Sequence, residues 1–484
     1  MGQEASQDAS PVPPVRRVGF PTILAYGSGA IAYGVKDLGF SSFLLLFYNQ
    51  VLGLPSASVG FIVMCALLLD AVVDPAIGFL SDRTRSRWGR RHPWMYASAL
   101  PIAIGWLLLW SPPHLAPGAL LLWLFLASTI VRTAVSAYEV PSVALTPELS
   151  ADYDERTRIM AWRYLLGWVG AMAMLILAYT VLLAPAPGQE SGLLNRPAYI
   201  GFGVVGALAM AAAILVSALG THREIARLPR PVIERRTLAG HFRELRQTVR
   251  NRAFLILMAA GLCYYTAQGI SFALSNYLYA YVWRFSPGAF VWLAVSLLGG
   301  VVVAFALAPA VAKRWGKPAA ATALMIAASL LAGLPYALRI ANLFPAIGDP
   351  LMLPLLLVIF GINTGCGVGA TMLGASMMAD VVEHSEAETG RRSEGVFFAG
   401  FFFVQKCTSG IGIFLAGVLL SVSGFPDAAS PGAVPMATLD RLTILFSLSY
   451  LLLGVAAAWF YGRFPFGKAE HDARIARMAA GEAA

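Results

Sequence analysis

The chain has 484 residues, of which 58% are hydrophobic and 13% charged, with a net charge of +9 and a mean hydropathy of +0.68. Soluble chains of this length carry about 25% charge, so a soluble fold is excluded. Segments of about ten alternating residues, the mark of a membrane β-barrel, are missing. The positive charge is the excess of Lys and Arg that membrane proteins keep in cytoplasmic loops, not a nucleic-acid footprint.

Taken in chain order, a polar, Pro-containing tail comes first (1–18), without the basic region and apolar core of a signal peptide. Twelve apolar stretches follow, at roughly 20–48, 55–81, 93–111, 118–146, 160–184, 197–219, 253–283, 287–312, 318–340, 350–381, 395–423 and 438–462. Each is long enough to cross a hydrocarbon core of about 30 Å. Pro, Gly or charge separates most of them. The spans predict a polytopic all-α protein with a six-helix bundle at 19–219, a linker at 220–252, a second six-helix bundle at 253–464 and a tail at 465–484. In the linker Leu238, Phe242, Leu245 and Val249 share one helical face, with Arg243, Arg246 and Arg250 elsewhere, which predicts an amphipathic helix on the membrane surface.

Charge sets the expected orientation. With the N-terminus inside, 27 Lys and Arg fall in inner loops and termini and only Arg196, Arg284, Arg339 and Arg441 in outer ones. Both termini are therefore expected in the cytoplasm. The halves also echo each other. "RWGRR" (87–91) follows the second span and "RWGKP" (314–318) the eighth; "DERTR" (154–158) follows the fourth and "ETGRRSE" (388–394) the tenth. Repeats at one offset are what two pseudo-symmetric bundles rocking about a central site require.

Eight charges lie inside the spans: Lys36 and Asp37 in the first, Asp70 and Asp74 in the second, Arg132 and Glu139 in the fourth, Arg163 in the fifth and Lys406 in the eleventh. Each costs at least about 2.5–3.5 kcal/mol at mid-membrane, so four acids and four bases must face one interior and neutralise each other. Some pairs tie helices together. For Arg132, which sits apart from the others, and for Lys36, rotated about 100° from Asp37, that reading stands level with a functional one. Asp70 and Asp74 are one turn apart and share a face. Two carboxylates that close disfavour joint ionisation unless a cation lies between them. The pair suits H⁺, Na⁺ or a lysine, and Lys406 is the intramembrane lysine of the second half. The four cysteines (65, 263, 366 and 407) match no metal site or disulfide framework. The six histidines fall in loops or at helix ends, and no phosphate-binding loop or zinc motif is present. An enzyme, an ATP-driven pump, a structural metal and a bound cofactor are accordingly not expected.

At these residues the chain resembles the glycoside–pentoside–hexuronide:cation symporters of the major facilitator superfamily. "DAVVDPAIGFLSDRTRSRWGRRHPW" after the second span and "ADVVEHSEAETGRRSEG" after the tenth carry the resemblance, which extends over nearly the whole chain. It implies the major facilitator fold in the cell membrane, as a monomer, and a cation-coupled carrier of a sugar or glycoside. By the same resemblance Asp70, Asp74 and Lys406 match the cation site; Ser136 or Thr133 on the fourth span is the expected source of one further oxygen. Lys36, Asp37, Glu139 and Arg163 match cavity positions, and Thr371 aligns with a substrate-facing tryptophan. Gly78, Asp82, Arg83, Gly89 and Arg90 match the loop that latches the inner gate, and Asp82 is expected to engage the fifth or eleventh span when the cavity faces outward.

The chain departs from the family's melibiose-carrying members at four of these positions. Glu139 replaces an aspartate, Val143 and Thr371 replace tryptophans, and Val73 replaces an asparagine beside the second aspartate. Without aromatic platforms for apolar sugar faces, galactosides are disfavoured. With Val73 offering no oxygen, the site leans to H⁺ over Na⁺. Two other functions compete: a carrier of an amphipathic substrate such as a lysophospholipid, which would need a wide apolar cavity, and a transporter-like sensor, which would need no intact cation site.

Overall fold

A computed structural model describes residues 18–150, 152–183, 185, 192–225, 251–389 and 394–466. The linker's expected amphipathic helix, residues 1–17 and residues 467–484 lie outside these. Among the described residues there are helices and no strands, because in hydrocarbon a helix satisfies its own backbone. Twelve helices are long and apolar enough to span a membrane: α1 Phe20–Val51, α2 Ser56–Arg83, α3 His92–Trp110, α4 Pro117–Leu149, α5 Glu155–Leu182, α6 Arg196–His222, α7 Arg252–Val282, α8 Pro287–Trp315, α9 Lys317–Ile340, α10 Met352–Ser385, α11 Phe403–Ser423 and α12 Met436–Gly462. These agree with the apolar stretches to within about five residues, except that α11 as given begins at Phe403 where the stretch begins at 395. Their starts follow ordinary capping chemistry. Asn251 caps α7 by accepting from the Phe254 N–H at 3.0 Å, and Asp152 caps the turn leading into α5 by accepting from the Glu155 N–H at 2.7 Å. Large apolar side chains such as Leu122, Leu208, Val302 and Leu452 stand exposed around the outside, which in a membrane is contact with lipid.

An even number of spans puts both termini on one side, and the halves repeat in three dimensions. Gly89 and Gly316, at the same place in the "RWG" echo, both take a left-handed φ, +74° and +82°, a conformation open to glycine at little cost. The residue after each then reaches the fourth helix of its own bundle. Arg90 bonds Glu148 at 2.6 Å and Lys317 bonds Asp380 at 2.6 Å. Likewise α1 and α7 both widen into i→i+5 turns at their far ends, Phe47–Val51 and Leu278–Val282. Turns of this kind recur at functional positions.

The bundles meet unevenly. One continuous apolar core runs the length of the first bundle and enters the second at the end away from the termini, including Phe47, Tyr277 and Phe425. At the termini end the second bundle has a separate core, including Phe254, Met377 and Tyr461. Hydrogen bonds between the bundles gather at the far end too. Asn276 donates to the Ser42 carbonyl at 2.7 Å and accepts from the Tyr179 hydroxyl at 2.5 Å. Tyr277 donates to Asn49 at 2.9 Å, Tyr281 to Gln50 at 3.1 Å, and Asn49 to Asp427 at 2.6 Å. Along this seam α2 and α11 lie so close that a side chain on Gly417 would collide with the Ser56 carbonyl, while Ser56 donates to the Gly417 carbonyl at 2.9 Å. The molecule is thus pinned shut at one end, with its central cleft between the bundles.

Candidate substrate and cation site

The two aspartates of α2 each meet a different base. Asp70 pairs with Arg132 of α4, and both side chains are almost wholly buried. Asp74 pairs with Lys406 of α11 across the seam between bundles; this pair is partly exposed, and its Lys406 lines the cleft. The helical period of α2 puts both carboxylates on one face, but their depths differ by a turn. The deeper carboxylate thus meets a residue of its own bundle and the other reaches the opposite bundle. Asp74 Oδ1 and Arg132 Nε are buried with no hydrogen-bond partner among the described residues. Arg132, which the sequence leaves apart from the group, therefore stands inside it.

Above the pairs lies a cleft of about 80 Å³ lined by Tyr33, Lys36, Asp37, Arg132, Gln268 and Lys406, with Gln405, Ser409 and Phe272 beside them. A smaller void of about 10 Å³ separates Asp70, Arg132, Ser136, Glu139 and Lys406. Lys36 is buried, with its ammonium 3.6 Å from Asp37 and 4.2 Å from the Tyr33 ring centre. The Asp37 side chain is 53% exposed, and no hydrogen bond to it is made among the described residues. Its oxygens are free to accept from a ligand. Gln268, Gln405 and Ser409 carry no charge and so stand outside the expected set, although a glutamine inside an apolar span is itself a signal of an interior polar site.

Three expected site residues, Arg163, Thr371 and Thr133, stand elsewhere. Arg163 does not line the cleft. It is buried behind Glu139, bonding that carboxylate at 2.7 Å and the Ser142 hydroxyl at 2.8 Å, with the Tyr26 ring 5.2 Å away. Its role is to hold Glu139, because α5 presents it to the interior of the first bundle and not to the seam. Thr371 turns its hydroxyl back onto α10, donating to the Val368 carbonyl at 2.8 Å, and lines neither space. Ser136 does border the void beside Asp70, whereas Thr133 does not. In the latch loop, Asp82 pairs with Arg91 at 2.6 Å, and Arg91 also bonds Glu148 at 3.1 Å. The loop is tied within the first bundle, and Arg83 stacks on Phe79 at 3.8 Å.

A sequence profile described as MFS/sugar transport protein matches residues 25–468. The chain belongs to this family. It is therefore a multi-pass inner-membrane transporter of the major facilitator superfamily and not an enzyme, and the glycoside–pentoside–hexuronide group is the one its relatives represent. This MFS/sugar transport protein is 28% identical to an uncharacterized symporter of Synechocystis sp., over 93% of the chain and 95% of the relative. It is 25% identical to the isoprimeverose transporter of Lactiplantibacillus pentosus, over 95% and 93%. It is also 25% identical to a glucuronide carrier protein homolog of Escherichia coli, over 92% and 93%. Among solved structures it is similar in fold to the nucleoside transporter NupG, with a TM-score of 0.62 and 14% identity over 91% of this chain and 99% of that one. Conserved architecture with 14% identity leaves substrate choice to the cleft's side chains.

Proposed function

We propose that this MFS/sugar transport protein is a cation-coupled symporter of a sugar or glycoside that works by alternating access. The observation that carries the reading is the Asp74–Lys406 pair, which joins the two bundles at mid-membrane beside a polar cleft. A proton taken up by Asp74 releases Lys406. The release frees the seam between α2 and α11 to rearrange, which links ion binding to bundle motion. The termini side is read as cytoplasmic, from the charge asymmetry of the loops, and the far-end closure then lies on the outer side of the membrane. The named relatives transport isoprimeverose or are named for glucuronides, which supports a glycoside-type substrate here.

Asp37 and Lys36 are read as the sugar's anchors. A carboxylate accepts from two hydroxyls and an ammonium donates to a third. The cleft in this conformer holds a few water molecules, so a sugar ring enters as the long side chains of Lys36 and Lys406 draw back. The mixture of Asp, Lys, Gln and Ser in the lining favours a sugar over a lysophospholipid, whose chains need an apolar cavity.

The test is a thermal-shift screen of the purified protein against sugars, glycosides and lysophospholipids. Binding of a sugar or glycoside by the wild type, lost by at least about tenfold in Asp37→Ala from the loss of a charge-assisted hydrogen bond, is the expected result. Stabilisation by lysophospholipid alone would reverse the substrate class, and undiminished sugar binding by the variant would remove Asp37 from the site. The orientation has its own check. A cysteine placed at Thr237 is expected to resist a membrane-impermeant thiol reagent in intact cells and to react in inverted vesicles; labelling from outside intact cells would invert the topology.

A further inference from the structure

The family reading leaves one ion pair without a task. Arg132 reaches Asp70 from α4, and both side chains are buried to within a few percent. The space around them is about 10 Å³, at the threshold for one water molecule. The charged groups facing this space are Lys36, Asp70, Arg132, Glu139 and Lys406. Phe40 lies 5.3 Å from the guanidinium, so one side of it is walled by an aromatic ring. The carboxylate that a free coupling ion would use first, being the deeper of the two, already holds a cation belonging to the chain.

We propose that Arg132 is a tethered cation that occupies Asp70 in place of a free one, closes this position to Na⁺, and so sets the ion selectivity of the carrier. The inference rests on the reading of Asp70 and Asp74 as the coupling-ion site. Na⁺ is a hard cation that needs a shell of several oxygens. Here one Asp70 oxygen is taken by the guanidinium, one Asp74 oxygen by the ammonium of Lys406, and Val73 adds none. The remaining Asp70 oxygen, Ser136 and Glu139, itself held by Arg163, border the small void, and a free cation placed there meets the like charges of Arg132, Lys36 and Lys406 while the guanidinium is in place. A proton needs one carboxylate oxygen and no void. Asp74, in the more open pair and with Oδ1 unpartnered, is where it binds.

The alternative is that Arg132 merely ties α2 to α4. A tie predicts lower stability when the guanidinium is removed and no new response to ions. A tethered cation predicts a gained response, because deleting the side chain leaves both a void and an unneutralised carboxylate.

The experiment compares thermal unfolding of the purified full-length protein in NaCl with that in choline chloride at equal ionic strength, with no sugar added. The wild type is expected to show no Na⁺-specific shift. Arg132→Ala is expected to gain a Na⁺-specific rise of about 2–4 °C, abolished in the Arg132→Ala/Asp70→Asn double variant. Arg132→Gln serves the same arm if the alanine variant does not fold. A Na⁺-specific shift in the wild type overturns the proposal, as does a folded Arg132 variant that gains none. A failure of every sugar to bind overturns the symporter reading and leaves this ion measurement standing, so the two are told apart.

Discussion

Replacing Asp74 by alanine is expected to abolish accumulation of substrate against its gradient while leaving downhill exchange. Asp74 faces Lys406 across the seam between the bundles. Its carboxylate is the group whose protonation dissolves that pair. Alanine binds no proton and leaves the ammonium of Lys406 permanently bare in the cleft, so the variant cycles without reference to the pH gradient. For one proton per substrate, a gradient of about one pH unit supports about tenfold accumulation. In proteoliposomes the wild type should approach that ratio, and Asp74→Ala should stop at equal concentrations inside and out. Downhill exchange survives because Asp37 and Lys36, the proposed sugar anchors, lie on a different helix. Removing one partner leaves the other charge unpaired, so the Asp74→Ala/Lys406→Ala double variant should be the more stable of the two. Wild-type accumulation by Asp74→Ala would falsify the coupling assignment.

Replacing Asn276 by leucine is expected to open the far end. Both hydrogen bonds of the Asn276 side chain cross between bundles, one to the Ser42 carbonyl and one from the Tyr179 hydroxyl, and the residue is fully buried. The partners lie in or beside the widened turns Gly39–Phe43 and Ala178–Leu182, where the regular backbone ladder is already disturbed. Leucine keeps the branching and heavy-atom count of asparagine but offers neither amide group, so the Ser42 carbonyl and the Tyr179 hydroxyl both lose this partner in a dry interface. The closed far end should lose about 3 kcal/mol, a shift of roughly 100-fold toward the alternative conformer. Spin labels at Pro55 and Ser430, on the two far-side loops, should report longer distances in the variant than in the wild type. An unchanged distance distribution would mean that the apolar core, not this polar clasp, holds the closure.

Local pattern carried much of this protein. The twelve spans are legible because a membrane helix must be apolar for about 20 residues. The duplication is legible because "RWGRR" and "RWGKP" repeat at one offset, and Gly89 and Gly316 share a backbone conformation. That Asp70 and Asp74 share a face follows from the helical period alone. The need for internal counter-charges follows from the cost of bare ones in hydrocarbon.

Which charge meets which was decided by tertiary packing. A helical period places a side chain on a face of its own helix but says nothing of how far that helix is rotated or shifted against its neighbours. Arg132 therefore looked isolated in the chain, yet α4 delivers it to Asp70. Arg163 looked like a cavity residue, yet α5 turns it inward to hold Glu139. Thr371 was placed by alignment, yet its hydroxyl bonds back to its own helix. Asn49, Gln50 and Asn276 gave no signal of a clasp, because their partners lie hundreds of residues away and include backbone carbonyls, which have no sequence signature. The spans and their polar faces were thus determined by the sequence through the cost of burying charge and backbone in lipid. The pairings that make the cleft were decided by helix contacts whose rotation and depth depend on the packing of the whole bundle.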